Sequence, residues 1–92
     1  MTKRDMQVAV VAILETLAET ADGWAPETMC YLPLVQTMNI TLQDWYVVRG
    51  IMERTGFVTC EHDTVLITDK GRDIIKRIAA DRAAARAAKE KT

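Results

Sequence analysis

Residues 56–71 read GFVTCEHDTVLITDKG and contain two short runs that favour β-strands. The runs at 57–60 and 64–67 are rich in β-branched and aromatic residues, and a polar triplet at 61–63 separates them. This pattern predicts a β-hairpin with a short turn. Thr68-Asp69 then supplies an N-cap hydroxyl and a first-turn carboxylate, so we expect a helix to begin directly after the hairpin.

The residues before the hairpin predict three helices. In the first, at about residues 3–22, apolar residues recur at steps of three and four, and Asp22-Gly23 is a stop signal. The second lies within 26–38, where Pro33 predicts a kink or a division. The third covers about 42–55. Capping boxes mark the starts of the first and third helices, formed by Thr2 with Asp5 and by Thr41 with Asp44.

The segments between these helices are interpreted as connectors and caps. Trp24-Ala25 would join the first two helices, Pro26 would occupy the first position of the second, and Asn39 would end it in the left-handed conformation. Trp24 and Trp45 are most simply anchors of the core. We therefore expect three helices packed around two buried indole rings.

A last helix is expected from residue 69 to about 90. Its apolar stripe consists of Ile74, Ile75 and Ile78. From residue 79 onward alanine and arginine dominate, which favours helix strongly but buries little apolar area. A helix of this length would extend roughly 33 Å at ~1.5 Å per residue, more than a core of this size covers. The chain therefore divides into a body at 1–78 and an Ala/Arg-rich helical extension at 79–92.

The formal net charge of −1 conceals an asymmetry along the chain. Residues 1–69 carry four basic and ten acidic side chains, a net charge of −6. Residues 70–92 carry eight basic and three acidic side chains, a net charge of +5. This division of charge predicts that phosphate contacts or self-association involve residues 70–92 rather than residues 1–69.

Composition excludes several classes of protein. The 92 residues suffice for one domain, and two cysteines are too few for the disulfide framework of a small secreted protein. The apolar stretch at 8–14 is too short to span a membrane, and no cleavage site follows it. We therefore expect a cytoplasmic protein that has no membrane partner.

The predicted order of elements, with two motifs, resembles the winged helix-turn-helix domain of small bacterial and phage regulators. The motifs are a glycine followed by an aromatic and an aliphatic residue at 56–58, and an apolar-x-apolar-Thr-x-x-Gly run at 65–71. The resemblance covers about residues 5–78. It implies a mainly α fold with a small β-hairpin (α+β), in the order H1-H2-H3-hairpin-H4 with a long C-terminal helix. It also implies a dimeric, cytoplasmic transcription regulator that binds double-stranded DNA.

The resemblance makes the third helix the DNA-recognition helix and the hairpin its wing. The DNA-facing candidates on the third helix are then Gln43, Tyr46, Val47, Arg49, Gly50 and Arg54, and those at the hairpin turn are Glu61, His62, Asp63 and Thr64. Phosphate contacts on the last helix would come from Arg72, Lys76, Arg77, Arg82 and Arg86. On a helical wheel, Arg54 is the one basic side chain on the arc opposite the apolar face of this helix. That arc is therefore a poor surface for binding phosphates.

This weak basic character favours an alternative, a winged-helix module that binds protein without direct sequence-specific DNA contact. Its candidate interface consists of Tyr46, Val47, Gly50, Ala79, Ala83 and Ala87. Two other interpretations remain open at this stage. Tyr46 and Val47 could pack beneath the hairpin or the second helix, and the extension could be a solvated helix with no partner.

The sequence favours neither a catalytic site nor a metal site. Cys60 and His62 could form a nucleophile and base, and the same residues with Cys30 and Asp63 could bind a metal. No oxyanion donors or paired ligand clusters accompany them. We therefore expect no enzymatic activity, cofactor or metal, and Cys30 and Cys60 as small buried side chains. Glu27 could pair with a base that the sequence does not identify.

Overall fold

The computed structural model describes residues 2–90, so residues 91–92 of the predicted extension lie outside the described residues. Its elements are α1 (Lys3–Glu19), β1 (Trp24–Pro26), α2 (Glu27–Met38), α3 (Leu42–Arg54), β2 (Val58–Glu61), β3 (Thr64–Ile67) and α4 (Asp69–Glu90). The described fold is mainly helical with one small antiparallel sheet, which confirms the predicted α+β class. The predicted hairpin and the long last helix are both present.

Both predicted capping boxes form. The backbone N–H of Thr2 donates to the Asp5 carboxylate at 3.1 Å, and that of Thr41 donates to the Asp44 carboxylate at 3.0 Å. These backbone hydrogen bonds lower the pKa of both carboxyl groups. The bonds fix where α1 and α3 begin, and thus which side chains of each helix face the core.

Helix α1 ends three residues before the predicted stop. Thr20 is extended, and both its backbone N–H and its hydroxyl donate to the carbonyl of Leu17, at 3.2 and 2.7 Å. This local bonding satisfies the last turn before the chain reaches Gly23, which has a φ of 71°. Gly23 therefore directs the chain into the next strand and does not cap the helix.

The predicted connector at Trp24-Ala25 is wrong, because these residues belong to β1. β1 pairs antiparallel with β3, with Ala25 opposite Val65, and the sheet order is β1-β3-β2. The backbone N–H of Ile67 also donates to the carbonyl of Gly23 at 2.8 Å. Trp24 lies on the outer face of the sheet and is 45% exposed, so its prediction as a core anchor is also wrong.

Helix α2 is a single helix, and the predicted division at Pro33 does not occur. Pro33 and Met29 are both exposed, so the Met29 carbonyl that lacks an intrahelical donor lies on a surface where water can solvate it. Pro26 precedes the helix as its N-cap residue instead of occupying the first helical position. Asn39 ends the helix in the left-handed conformation, as predicted, with φ 54° and ψ 39°.

The core lies between α1, α2, α3 and the inner face of the sheet. Its buried members are Ala9, Ile13, Leu14, Leu17, Ala25, Cys30, Leu34, Ile40, Trp45, Val48, Met52, Val58 and Val65. Trp45 is fully buried, as predicted for a core anchor. No helix within residues 2–90 combines the length and the apolar character needed to cross a membrane.

Helix α4 is fixed to the base of the hairpin at its first turn. The Thr68 hydroxyl lies 2.5 Å from the carbonyl oxygen of Gly56 and accepts from the backbone N–H of Gly71 at 3.1 Å. Gly71 is buried, and a Cβ at this position would collide with the carbonyl oxygen of Phe57. The absence of a side chain lets α4 approach the hairpin closely and then pass across α1.

Candidate interaction surface on helix three

Helix α3 has one buried face and one exposed face, as its apolar spacing predicted. The buried face consists of Trp45, Val48 and Met52. On the opposite side, Gln43, Tyr46, Val47 and Arg54 are exposed and Gly50 is half-buried. Tyr46 and Val47 are 53% and 46% exposed, so neither packs beneath the hairpin or α2. Nothing lies within 4 Å of a Cβ built on Gly50, so no close neighbour in the described chain explains this glycine.

The carboxylate of Glu27 joins α2 to α3. Its Oε1 accepts from the Trp45 Nε1–H at 2.6 Å and from Arg49 Nη1 at 2.6 Å. Arg49 Nε also lies 3.2 Å from the Oε1 of Glu53, one helical turn farther along α3. Glu27 is thus the acceptor for the indole N–H of the largest core side chain and the partner of a surface arginine.

Arg49 serves to position other groups on α3. The hydrogen bond to Glu27 raises the pKa of Arg49, so its charge is held and largely neutralised at the α2–α3 junction. The Arg49 guanidinium carbon lies 5.5 Å from the centroid of the Tyr46 ring, within the range of a cation–π contact. Of the two basic candidates on α3, Arg54 is the fully exposed one.

The hairpin turn is acidic and docked against α2. His62 and Asp63 form the turn, with His62 at φ 53°, and Glu61, His62 and Asp63 are all exposed. The backbone N–H of Glu27 donates to the carbonyl of Asp63 at 2.7 Å. The turn therefore presents carboxylates beside the start of α2, which opposes close approach of phosphates there.

A cleft on the outer face of the sheet was not predicted from the sequence. It has a volume of about 360 Å³. Its lining residues are Trp24, Glu61, His62, Thr64 and Leu66. Trp24 reaches this surface because it pairs across the sheet with Leu66, a contact between residues far apart in the chain. The local sequence around Trp24 carries no signal for that pairing.

The candidate basic residues of α4 differ in their surroundings. Lys76, Arg77 and Arg86 are exposed, as are Ala79, Ala83 and Ala87. Arg82 donates to the Glu15 carboxylate at 2.9 Å. Arg72 is half-buried, with its guanidinium against Gly23. α4 packs chiefly on α1.

Neither cysteine has the environment of a nucleophile. Burial raises the pKa of Cys30 to about 11, and burial together with the nearby Glu53 carboxylate raises that of Cys60 to about 11. His62 lies in the exposed turn beyond β2, while Cys60 is half-buried within the strand. Within residues 2–90, no group of three or more His, Cys, Asp or Glu side chains is placed to hold a metal ion.

Comparison with known proteins finds no matching family model, no matching curated protein and no matching solved structure. The function is therefore inferred from the surface of this chain. That surface combines an exposed α3 face with one uncommitted arginine, an acidic hairpin turn and a basic last helix.

Proposed function

We propose that this protein is a winged helix-turn-helix regulator that binds double-stranded DNA through α3. The observation that carries the proposal is the element order together with the sheet order β1-β3-β2. Two helices joined by the short connection at 39–41 are followed directly by the hairpin that would act as the wing. In helix-turn-helix proteins the second of two such helices enters the major groove.

The exposed α3 side chains supply hydrogen-bonding groups suited to base edges. The Gln43 amide matches the donor and acceptor of adenine, and the Arg54 guanidinium matches the two acceptors of guanine. Tyr46, oriented by Arg49, adds a phenol hydroxyl to the same face. These three side chains would read sequence, and the exposed Lys76 and Arg77 of α4 would contact phosphates from outside the groove.

The charges predict DNA binding with a shallow dependence on salt. The charge of Arg49 is neutralised by Glu27, so α3 contributes one available basic side chain, Arg54. The basic side chains of α4 supply the other positive charges. With about two or three phosphate contacts, the logarithm of the binding constant should fall with the logarithm of salt concentration with a slope of roughly −2 to −3. A strongly basic domain would give a much steeper slope.

Titration of the full chain into a labelled duplex pool at about 50 mM salt tests the proposal. Arg54→Ala should weaken binding by about 5- to 150-fold, as expected for loss of a bidentate base contact of ~1–3 kcal/mol. Arg54→Lys is the matched control, because it keeps the charge and loses the planar fork. Absence of binding to any duplex would contradict the proposal. Unchanged affinity in a variant carrying both Arg54→Ala and Arg82→Ala would also contradict it.

A protein-binding module is the second candidate, and one observation favours it. Leu42, Tyr46 and Val47 leave about half of their surface exposed on α3, beside an arginine whose charge is already paired. Tyrosine and arginine are the residues that most often dominate protein interfaces. Under this alternative, Val47→Asp would abolish binding to a protein partner, whereas Arg54→Ala would leave that binding intact.

A further inference from the structure

A second surface lies where α4 crosses α1. A cleft of about 400 Å³ there is lined almost entirely by apolar side chains of α1, α4 and the end of α3. Val8, which is 51% exposed, lines a smaller adjoining cleft that shares Val11 with the first. We refer to Val8, Val11, Ile74 and Ile78 together as the α1–α4 face. Apolar side chains of α1 and α4 are therefore partly open to solvent at this crossing.

Beyond the crossing, the second half of α4 is exposed, and its Arg82 pairs with Glu15 of α1. Every residue at 79–90 is exposed, a helical segment of about 18 Å that is termed the α4 arm. The described molecule measures 48 Å along its longest axis and 28 and 21 Å along the others. The arm therefore continues directly from an apolar cleft into solvent.

The charges around the crossing are self-complementary. A groove of about 430 Å³ next to the α1–α4 face has Glu15 and Glu19 on its α1 wall and Arg82 and Arg86 on its α4 wall. Glu15 and Arg82 meet at 2.9 Å, but α1 ends at Glu19 while α4 continues, so the groove opens beyond this pair. A two-fold rotation would bring the acidic wall of one copy against the basic wall of another.

We propose that the α1–α4 face binds a second copy of this chain in a two-fold dimer, with Glu19 of each subunit facing Arg86 of the other. The chain itself carries the matching segment, because α4 presents isoleucines followed by arginines at helical spacing. The apolar lining disfavours nucleic acid in the cleft, and the continuity with an uncovered helix favours a helical partner over a small molecule. This dimer does not require DNA binding, since the α3 face stays free.

Sedimentation equilibrium of the full chain over a range of concentrations tests the proposal, and the expected wild-type mass is that of a dimer. Val8→Asp should raise the dimer dissociation constant at least about tenfold, because two-fold symmetry places the new carboxylate in the interface twice. Val47→Asp is the matched control, since Val47 has similar exposure on α3 and its substitution should leave the mass unchanged. A monomeric wild type, or a dimer lost in Val47→Asp and kept in Val8→Asp, would overturn the proposal.

A charge exchange tests the orientation of the two copies. Glu19→Arg and Arg86→Glu should each weaken the dimer several-fold at low salt, because each places like charges opposite one another twice. The variant with both substitutions should recover wild-type affinity. Both residues are exposed, so the fold should tolerate these changes. Substitutions that alter the melting temperature and leave the dimer unaffected would mean that the two walls interact only within one chain.

Discussion

Removal of the Glu27 carboxylate is the most direct test of how α2 and α3 are held together. Glu27→Ala leaves the Trp45 indole N–H, which belongs to a fully buried side chain, without its acceptor at 2.6 Å. An unsatisfied buried donor costs about 1–3 kcal/mol. The Arg49 contact adds less, about 0.5–1 kcal/mol, because both side chains are partly exposed. The expected loss in the free energy of unfolding is therefore about 1.5–4 kcal/mol.

Urea unfolding, followed by tryptophan fluorescence, measures this loss. In a domain of this size each kcal/mol corresponds to roughly 4–8 °C in melting temperature, so Glu27→Ala should melt roughly 6–30 °C below wild type. Glu27→Gln should cost about 1 kcal/mol, since its amide oxygen can still accept from the indole while the ion pair is lost. The two variants thus separate the hydrogen bond from the charge.

Glu53→Ala serves as the matched control for the ion pair. Glu53 contacts the same arginine at 3.2 Å but lies on the exposed side of α3, where such pairs contribute only about 0.3–0.5 kcal/mol. The reasoning would be refuted if Glu27→Ala cost less than Glu53→Ala. Equal losses in Glu27→Ala and Glu27→Gln would refute the role given to the indole hydrogen bond.

Four further outcomes are expected. Gly50→Ala should raise the free energy of unfolding by up to about 1 kcal/mol in thermal unfolding, since the site is open and helical. The same substitution should weaken the binding of any ligand that approaches α3 closely. Gly71→Ala should lower the melting temperature, because its Cβ would meet a backbone carbonyl. Because the pKa of Asp44 is lowered in the fold, its carboxylate stabilises the protein fully at pH values above its ordinary pKa of 3.8. This stabilisation is lost as the pH falls through the folded pKa. Asp44→Ala should therefore lose less stability in acid than wild type does. Cys30 and Cys60 should react slowly with iodoacetamide at pH 8, because both pKa values lie near 11, and urea should accelerate the reaction measured by mass spectrometry.

The features that could be predicted from the sequence are those set by neighbouring residues. The capping boxes at Thr2 and Thr41 need a partner only three positions away, and both form. The same holds for the division of α3 into a buried and an exposed face, which follows from its helical spacing alone. The hairpin was predictable because its two strands are adjacent and Thr68 marks where they end.

The features that could not be predicted depend on residues distant in the chain. β1 has three residues, too few to show an alternating pattern, and it becomes a strand only because β3 lies beside it. Trp24 is exposed for the same reason. Glu27 had several possible basic partners, and only the crossing of α2 and α3 selects Arg49. That selection removes charge from the candidate DNA-binding surface, so the electrostatics of the site were beyond local reasoning.

The pairing of β1 with β3 has a kinetic consequence. By joining Ala25 to Val65, it closes a loop that contains α2, α3 and β2. The three residues of β1 hold this loop closed. Closing such a loop costs entropy before any contact inside it is formed, which predicts that β1 docks late in folding. Native-state hydrogen exchange should then find the Ile67 amide, bonded to Gly23, opening at a lower free energy than the amides of the adjacent hairpin pairs. Opening of the short β1–β3 pairing would let α2 and α3 separate from the sheet without global unfolding.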